Sequence, residues 1–253
     1  MAPPSWKTLL IIPTYNEAGN IETLIREILD QRLELDLLVI DDNSPDGTGH
    51  LAERLSRSAP ITVIHRAGKL GIGSAHKQGL QYALDHGYLL AITMDADFSH
   101  SPRYLGDLLR ESARADVVVG SRYIRGGGLV GWSLFRLLIT HTAHTLTTLL
   151  LGIPYDCTGA FRIYRSAVLR EVDFQAIRSE GYAFLIEMIC EVCRSGFAVG
   201  QIPIVISKRH KGVSKISHSE ILKAVKTLFH LGLRRRRAAP PVTRVPEKDR
   251  ALV

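Results

Sequence analysis

Asp95 and Asp97, in the run MDADFSHSP, are the residues of this chain best suited to chemistry. Two carboxylates at i and i+2 on a bend can approach one divalent cation. Their hard oxygens suit Mg²⁺ or Mn²⁺, and such a cation can hold a diphosphate. An acidic pair at a strand exit also caps helices, so the pair needs company before it means a metal. Asp41 and Asp42 end a second apolar run, Pro13-Thr14-Tyr15-Asn16-Glu17 closes a third, and Gly120-Ser121-Arg122-Tyr123 a fourth. Glu17 and Asp42 can accept hydrogen bonds from a nucleobase or ribose hydroxyls, contacts that discriminate because an unmet buried polar group is costly; turn and cap chemistry is the alternative for each alone. Arg122 offers a guanidinium fork to phosphate oxygens. Arg136, a charge inside an apolar helical stretch, requires a partner or an exit to water. The run from Lys208 through Arg209 to Lys215, basic and centred on Gly212, reads as a mobile loop closing over anions, with a plain surface loop as the alternative. Gly68 to Gly73 forms neither a dinucleotide fingerprint nor a P-loop.

The elements that carry these groups alternate. Short apolar strands are expected at 8–13 (ended by Pro13), 35–40, 61–64, 88–94 and 116–120. Helices follow them: one capped by Asn20 and running through Leu29, others over 48–57 and up to Asp85, and one with Pro102 in its first turn. This rhythm predicts right-handed crossovers and a mainly parallel sheet, with the acidic exits on one rim. After residue 120 the rhythm changes. Gly126-Gly127-Gly128 reads as a flexible break before an apolar stretch over 129–153. A strand at 161–164, helices at 166–172 and 182–195, a strand at 198–205 and an amphipathic helix at 217–231 follow. The expected division is a catalytic domain over 1–215, a C-terminal helix over 216–233 and a basic, disordered tail over 234–253.

The formal net charge is +7, with much of the excess at 208–215 and in Arg234-Arg235-Arg236-Arg237. Such local surpluses suit phosphate groups or anionic lipid. Nucleic acid is not expected, because the tail has no recognition module or aromatic platform. Cys157, Cys190 and Cys193 make no disulfide framework; Cys190-x-x-Cys193 lacks a second pair for zinc and reads as packing in a reducing cytosol. The N-terminus has no signal-peptide apolar core, and no uninterrupted apolar run reaches the ~18 residues of a membrane span. The stretch over 129–153 fits either a core helix or an element lying on a membrane surface.

The ordered set IIPTYNEAGNI, VIDDNSPDGT, KLGIGSAHKQGL, MDADFSHSP, VGSRYIRGGG, GWSLFR, DCTGAFRIYR, GYAFLIEM and RHKGVSK covers nearly all of residues 8–231. In it the chain resembles a family 2 glycosyltransferase of the dolichyl-phosphate (polyprenyl-phosphate) mannosyltransferase type. The resemblance implies a GT-A fold, a three-layer sandwich around a mainly parallel sheet, and an inverting, metal-dependent transfer of mannose from GDP-mannose to a dolichyl or undecaprenyl monophosphate. It implies that Pro13, Tyr15, Glu17 and Asp42 line the nucleotide pocket and that Asp95 and Asp97 match the metal and diphosphate motif. The third metal position falls at Ser99, a weaker ligand. Arg122 and Arg136 would meet phosphates, and Arg209 and Lys215 would belong to the closing loop. The enzyme would be cytoplasmic and peripheral on a membrane, held by surface helices, the arginine tail or a separate membrane subunit. A UDP-sugar transferase, such as a prenyl-phosphate glucosyltransferase, is the nearest alternative; a silent nucleotide-binding membrane adaptor is the second.

Overall fold

Strand β1 (Thr8–Thr14) is the spine of the molecule, buried along almost its whole length. It lies between two parallel neighbours, β2 (Asp36–Asp41) and β4 (Leu90–Thr93), and β3 (Ile61–His65) pairs in parallel outside β2. The structure is a computed structural model. It describes residues 7–177, 179, 181–207, 226–228 and 231–232, without the side chains of Phe135, Arg136, Ile139 and Tyr182.

The expected α/β class with a mostly parallel central sheet is present. The strand order is β3-β2-β1-β4-β7-β5-β8, with β5 at Val117–Ser121, β7 at Arg162–Arg165 and β8 at Val199–Pro203. Both faces of the strands are apolar because both are covered. On one face Leu9, Ile11, Leu38, Ile40, Val117 and Val119 pack with α3 (Ile72–Asp85), α6 (Ser166–Glu171) and α7 (Tyr182–Arg194). On the other, Leu10, Ile12, Leu37, Val39 and Val118 pack with α1 (Ile21–Asp30), α2 (Thr48–Ser56) and α4 (Leu105–Glu111). Helix α1 illustrates the logic: Ile21, Leu24, Ile25 and Ile28 are buried, at the spacing of one helical face. These are the three layers of a GT-A type sandwich.

Four local expectations need correction. Pro13 does not end β1, which continues to Thr14 in register with Asp41. Alternation along the strand turns Pro13 toward β4, whose pairing with β1 stops at Ile11, so the missing N–H costs no ladder bond. Asn20 sits at the N-cap of α1 without capping it; its amide donates instead to Glu17 Oε2 at 2.7 Å. The glycine run is not simply a break, since Gly128 starts β6 (Gly128–Val130), paired in parallel with β9 (Val205–Ser207). Gly127 is required there, because a Cβ would lie 2.5 Å from the Ser121 carbonyl oxygen. The single strand expected over 198–205 is two strands in different sheets, β8 and β9.

Topology delivers one surprise that matters for function. Strand β7 runs antiparallel between β4 and β5. Its start therefore lies on the rim where the parallel strands end, and it brings the preceding loop, residues 156–161, to that rim.

Candidate active site

Three of the four non-glycine residues with left-handed backbone among the described residues, Asn16, Asn43 and Phe98, lie in the loops that leave β1, β2 and β4. Such conformations are costly and persist where surrounding bonds fix them. The β1 exit is stitched to the β2 exit: Asn16 N–H donates to Ser44 Oγ at 3.0 Å, Glu17 N–H to Thr48 Oγ1 at 2.8 Å and Ala18 N–H to Asp46 Oδ2 at 3.0 Å. Asp41 is a turn holder, accepting from Ser44 N–H at 2.9 Å, from the Ser44 hydroxyl at 2.5 Å and from Thr14 at 3.1 Å.

Asp42 and Glu17 sit on this rim, both buried. Neither carboxylate waits empty for a nucleoside. Asp42 Oδ1 lies 2.5 Å from Arg66 Nη1, its Oδ2 accepts from Gly71 N–H at 2.9 Å, and Glu17 Oε2 is bonded to Asn20. Each Asp42 oxygen keeps a second lone pair for a ligand. Tyr15 carries the Lys69 ammonium 4.4 Å from its ring centre.

At the β4 exit Asp97 is buried and Asp95 partly so. Asp97 Oδ1 accepts from Ser99 N–H at 3.0 Å and, more tightly, from the Ser99 hydroxyl. Beneath them, His100 stacks on Phe161 with ring centres 5.4 Å apart, and its Nδ1 accepts from Asp95 N–H at 3.3 Å. Burial pushes His100 down to about 4, against the pull of Asp97, so the ring is neutral near pH 7. Among the described residues no group of three or more His, Cys, Asp or Glu side chains gathers to enclose a metal. The donor set is nonetheless of the kind Mg²⁺ uses. That ion is usually held by one or two carboxylates plus substrate phosphates rather than by a closed protein cage, and Asp95 and Asp97 offer two carboxylates with the Ser99 oxygen beside them. The hydroxyl proton of Ser99 is given to Asp97, which fits its expected place as the weakest ligand.

At the β5 exit Arg122 meets a residue that the motif pattern did not single out. Arg122 Nε and Nη2 donate to Asp156 Oδ2 and Oδ1 at 2.7 and 3.0 Å, and Nη2 also donates to Thr158 Oγ1 at 2.8 Å. The side chains are 9% and 0% exposed. Burial alone would raise the Asp156 carboxyl, but the Arg122 guanidinium beside it holds it below its ordinary value. Burial disfavours the Arg122 charge as well, and Asp156 more than restores it. The loop bearing Asp156 is fixed from below by Arg162, wholly buried, whose Nε and Nη2 donate to the carbonyls of Gly159 and Cys157 at 2.9 and 2.7 Å and whose Nη1 donates to Leu185 at 2.8 Å. Asp156 lies 34 positions from Arg122, so only the antiparallel entry of β7 reveals the pair; a buried arginine needing a partner was the available signal. The acidic and basic groups share one rim, since His100 feels the charges of Asp97, Arg122 and Asp156, and Arg122 feels that of Asp95.

Tyr123 ties this corner to α5 (Leu134–Leu151): its ring stacks on His144 with centres 3.8 Å apart, and its hydroxyl donates to the Thr140 carbonyl at 3.3 Å. Helix α5 exposes three of its leucines. Thr147 is buried and Thr140 and His144 partly so, while Leu134, Leu138 and Leu149 are 85%, 66% and 74% exposed. No helix among the described residues is long and apolar enough to cross a membrane. Arg136 falls in the first turn of α5, but its side chain lies outside the described part, as do Arg209, Lys215 and the tail. Of the C-terminal helix, Leu228 and Leu231 are described and pack with Leu151 and Ile153.

A parallel sheet with acidic exits, and guanidinium groups on the same rim, defines a nucleotide-dependent transferase architecture. The chain belongs to the family described as "Glycosyl transferase family 2", whose model matches residues 9–173. It is 40% identical over 237 residues to a polyprenol monophosphomannose synthase of Mycolicibacterium smegmatis, covering 92% of this chain and 89% of that one. It is 38% identical over 229 residues to an undecaprenyl-phosphate mannosyltransferase of Micrococcus luteus, covering 90% and 94%. Among solved structures it resembles glucosyl-3-phosphoglycerate synthase from Mycobacterium tuberculosis in complex with Mn²⁺, UDP and phosphoglyceric acid. That likeness has a TM-score of 0.67 at 18% identity and covers 90% of this chain and 78% of the other. The same enzyme with Mg²⁺ and UDP gives a TM-score of 0.64, also at 18% identity, covering 92% and 80%. At that identity the likeness is one of fold.

Proposed function

We propose that this glycosyltransferase moves mannose from GDP-mannose to the monophosphate of a long polyprenol, such as dolichyl or undecaprenyl phosphate. The observation that carries the reading is the meeting of Asp95, Asp97 and the Asp156-held Arg122 on one rim, beside a helix that exposes Leu134, Leu138 and Leu149. A phosphate head on an apolar chain suits both. The two mannosyltransferase relatives, matched over nine tenths of the chain, support the same acceptor and sugar.

The nucleophile is then a phosphate oxygen already ionised near neutral pH, with a second pKa of about 6, so no general base is required. The new bond forms between that oxygen and the anomeric carbon, the bond to the diphosphate breaks, and in-line attack inverts the centre to a β linkage. The Arg122 Nη1 hydrogens, which have no partner among the described residues, donate to the incoming phosphate while Asp156 fixes the guanidinium plane. Arg136, Arg209 and Lys215 are assigned to the same phosphates. Pro13, Tyr15, Glu17 and Asp42 bind the nucleoside. Asp95 and Asp97, with Ser99, would hold Mg²⁺ or Mn²⁺, as the metal complexes of the structural relative suggest. Such a cation would supply charge neutralisation for the departing diphosphate.

A UDP-sugar donor is the second reading, favoured by the UDP bound in the structural relatives. A panel of GDP-mannose, UDP-glucose and UDP-galactose with Mg²⁺ and a radiolabelled sugar separates them. The preferred reading expects labelled prenyl phosphate from GDP-mannose; label only from a UDP-sugar selects the second. Nucleotide binding with no product from any donor selects the silent adaptor.

The proposed location is the cytoplasmic face of a membrane, with or without a separate membrane subunit. The catalytic domain spans 1–215, the helix 216–233 adds to the greasy lip made by α5, and 234–253 is a basic tail. Deleting Arg234 to Arg237, or changing Leu134, Leu138 and Leu149 to serine, is expected to weaken binding to anionic liposomes by about tenfold. Turnover on a short soluble acceptor should change by less than about twofold, the usual size of surface effects. Unchanged liposome binding by both variants would remove the membrane proposal.

A further inference from the structure

Arg66 belongs to none of the motifs that define the rim, yet it joins three of its parts. It follows β3, and its own N–H donates to the Asp41 carbonyl at 2.8 Å. Its Nη1 lies 2.5 Å from Asp42 Oδ1 and its Nη2 donates to Ser74 Oγ, in the first turn of α3, at 2.6 Å. The Asp42 side chain is 7% exposed and that of Arg66 6%, so this is a pair removed from water rather than a screened surface bridge. The other Asp42 oxygen accepts from Gly71 N–H at 2.9 Å, and Ser74 Oγ donates to the carbonyls of Leu70 and Gly71. The loop 66–71 is thereby closed into a ring of charge-assisted bonds. Gly71 must take a φ of +91° to close it. Lys69 projects from that loop and lies over the ring of Tyr15, which follows β1.

We propose that Arg66 is a positioning residue for the donor nucleotide: by clamping Asp42, Ser74 and the Gly71 segment it holds the Lys69–Tyr15 pair where a nucleoside diphosphate docks. Asp42 is then a rigid acceptor whose remaining lone pairs point one way, and Lys69 is a cation poised beside an aromatic plate, able to exchange that ring for a diphosphate oxygen. A lysine at position 66 keeps the charge but cannot bridge Asp42 and Ser74 together. This inference rests on the rim being a nucleotide-sugar site.

The test uses full-length Arg66→Met, Arg66→Lys and Ser74→Ala proteins. Hydrogen exchange of the Gly71 amide is followed without nucleotide, and GDP and UDP are titrated with Mg²⁺ present. Arg66→Met should speed Gly71 exchange and raise Kd for the nucleotide that wild type binds by roughly tenfold each, the scale of one lost charge-assisted bond. The loss should appear in donor KM rather than kcat. Arg66→Lys should recover part of it, and Ser74→Ala, which leaves the Arg66–Asp42 and Gly71–Asp42 bonds in place, should show a smaller shift of about threefold. Unchanged exchange and affinity in Arg66→Met, or a fall in kcat at constant donor KM, would overturn the proposal. If the methionine variant does not fold, an unchanged Ser74→Ala protein overturns it instead. Failure of wild type to bind either nucleotide would defeat the reading of the rim, and Gly71 exchange would then decide whether the clamp exists.

Discussion

The two ends of the rim solve opposite electrostatic problems with the same pair of residue types. On the β1–β2–β3 side, carboxylates are the presented groups, and Arg66 holds Asp42 still. On the β5–β7 side a guanidinium is presented, and Asp156 holds Arg122 still. In each pair one partner is available to a ligand and the other is support. In the proposed reaction the N–H and O–H donors of the nucleoside call for a carboxylate and the anionic phosphate of the acceptor for a guanidinium, and the fold supplies each already oriented, so little reorganisation remains for the moment of reaction.

The comparison can be broken most forcefully at Asp156. Asp156→Asn keeps the volume and leaves the buried Arg122 charge unbalanced, so unfolding free energy should fall by about 3–5 kcal/mol. For a chain of this size that is a melting point lowered by roughly 6–20 °C, with acceptor KM raised in parallel. A melting point within a degree of wild type would mean that the pair is not the support described.

Asp97→Ala sharpens the contrast from the other side. It should leave melting little changed and reduce turnover by about 10²–10³-fold, the usual effect of removing one electrostatic stabiliser. Near-wild-type turnover at saturating Mg²⁺ would exclude Asp97 from any metal role.

The smallest effect is expected below the rim. His76, on α3, is wholly buried, both ring nitrogens lack partners among the described residues, and its ring lies parallel to that of Phe184, 6.1 Å away. Burial first, then Arg162 and His100, push it down to about 3 from 6.5. The unfolded chain therefore binds the proton more readily, and stability conferred by the neutral ring is complete above pH 6.5 and lost as pH falls toward 3. His76→Leu should gain about 1 kcal/mol at pH 7, from removing unmet polar atoms, and more at pH 5. Denaturant melts at both pH values check this; a wild-type-minus-variant difference independent of pH would refute it.

What was legible in the sequence divides along the same line. Strands β1 to β5 follow from short apolar runs, two of which lead into Asp41-Asp42 and Asp95-Ala96-Asp97, and the boundaries differ from expectation by only a residue or two. Asp42 and Asp97 were readable as rim groups; their bonding partners were not. Asp156 was invisible because its meaning depends on β7 entering between β4 and β5, and strand order leaves no mark on periodicity. Strand β6 hid in a glycine run because its pairing partner, β9, lies more than seventy residues on. Helix α5 was recognisable as apolar, but only its packing reveals that Leu134, Leu138 and Leu149 face out while Leu151 is buried.

The late entry of β7 also sets the order of assembly. Strands β1 to β4 can pair as soon as residue 93 has left the ribosome, since all of their partners lie before it. The open edge of β4 must then wait for residues 162–165. Until they arrive, a flat apolar strand of Leu90, Ala91, Ile92 and Thr93 faces the cell unpaired. The nascent chain is therefore most exposed to aggregation during synthesis of the segment that includes α5, and a truncation ending before residue 162 should depend on chaperones for its solubility.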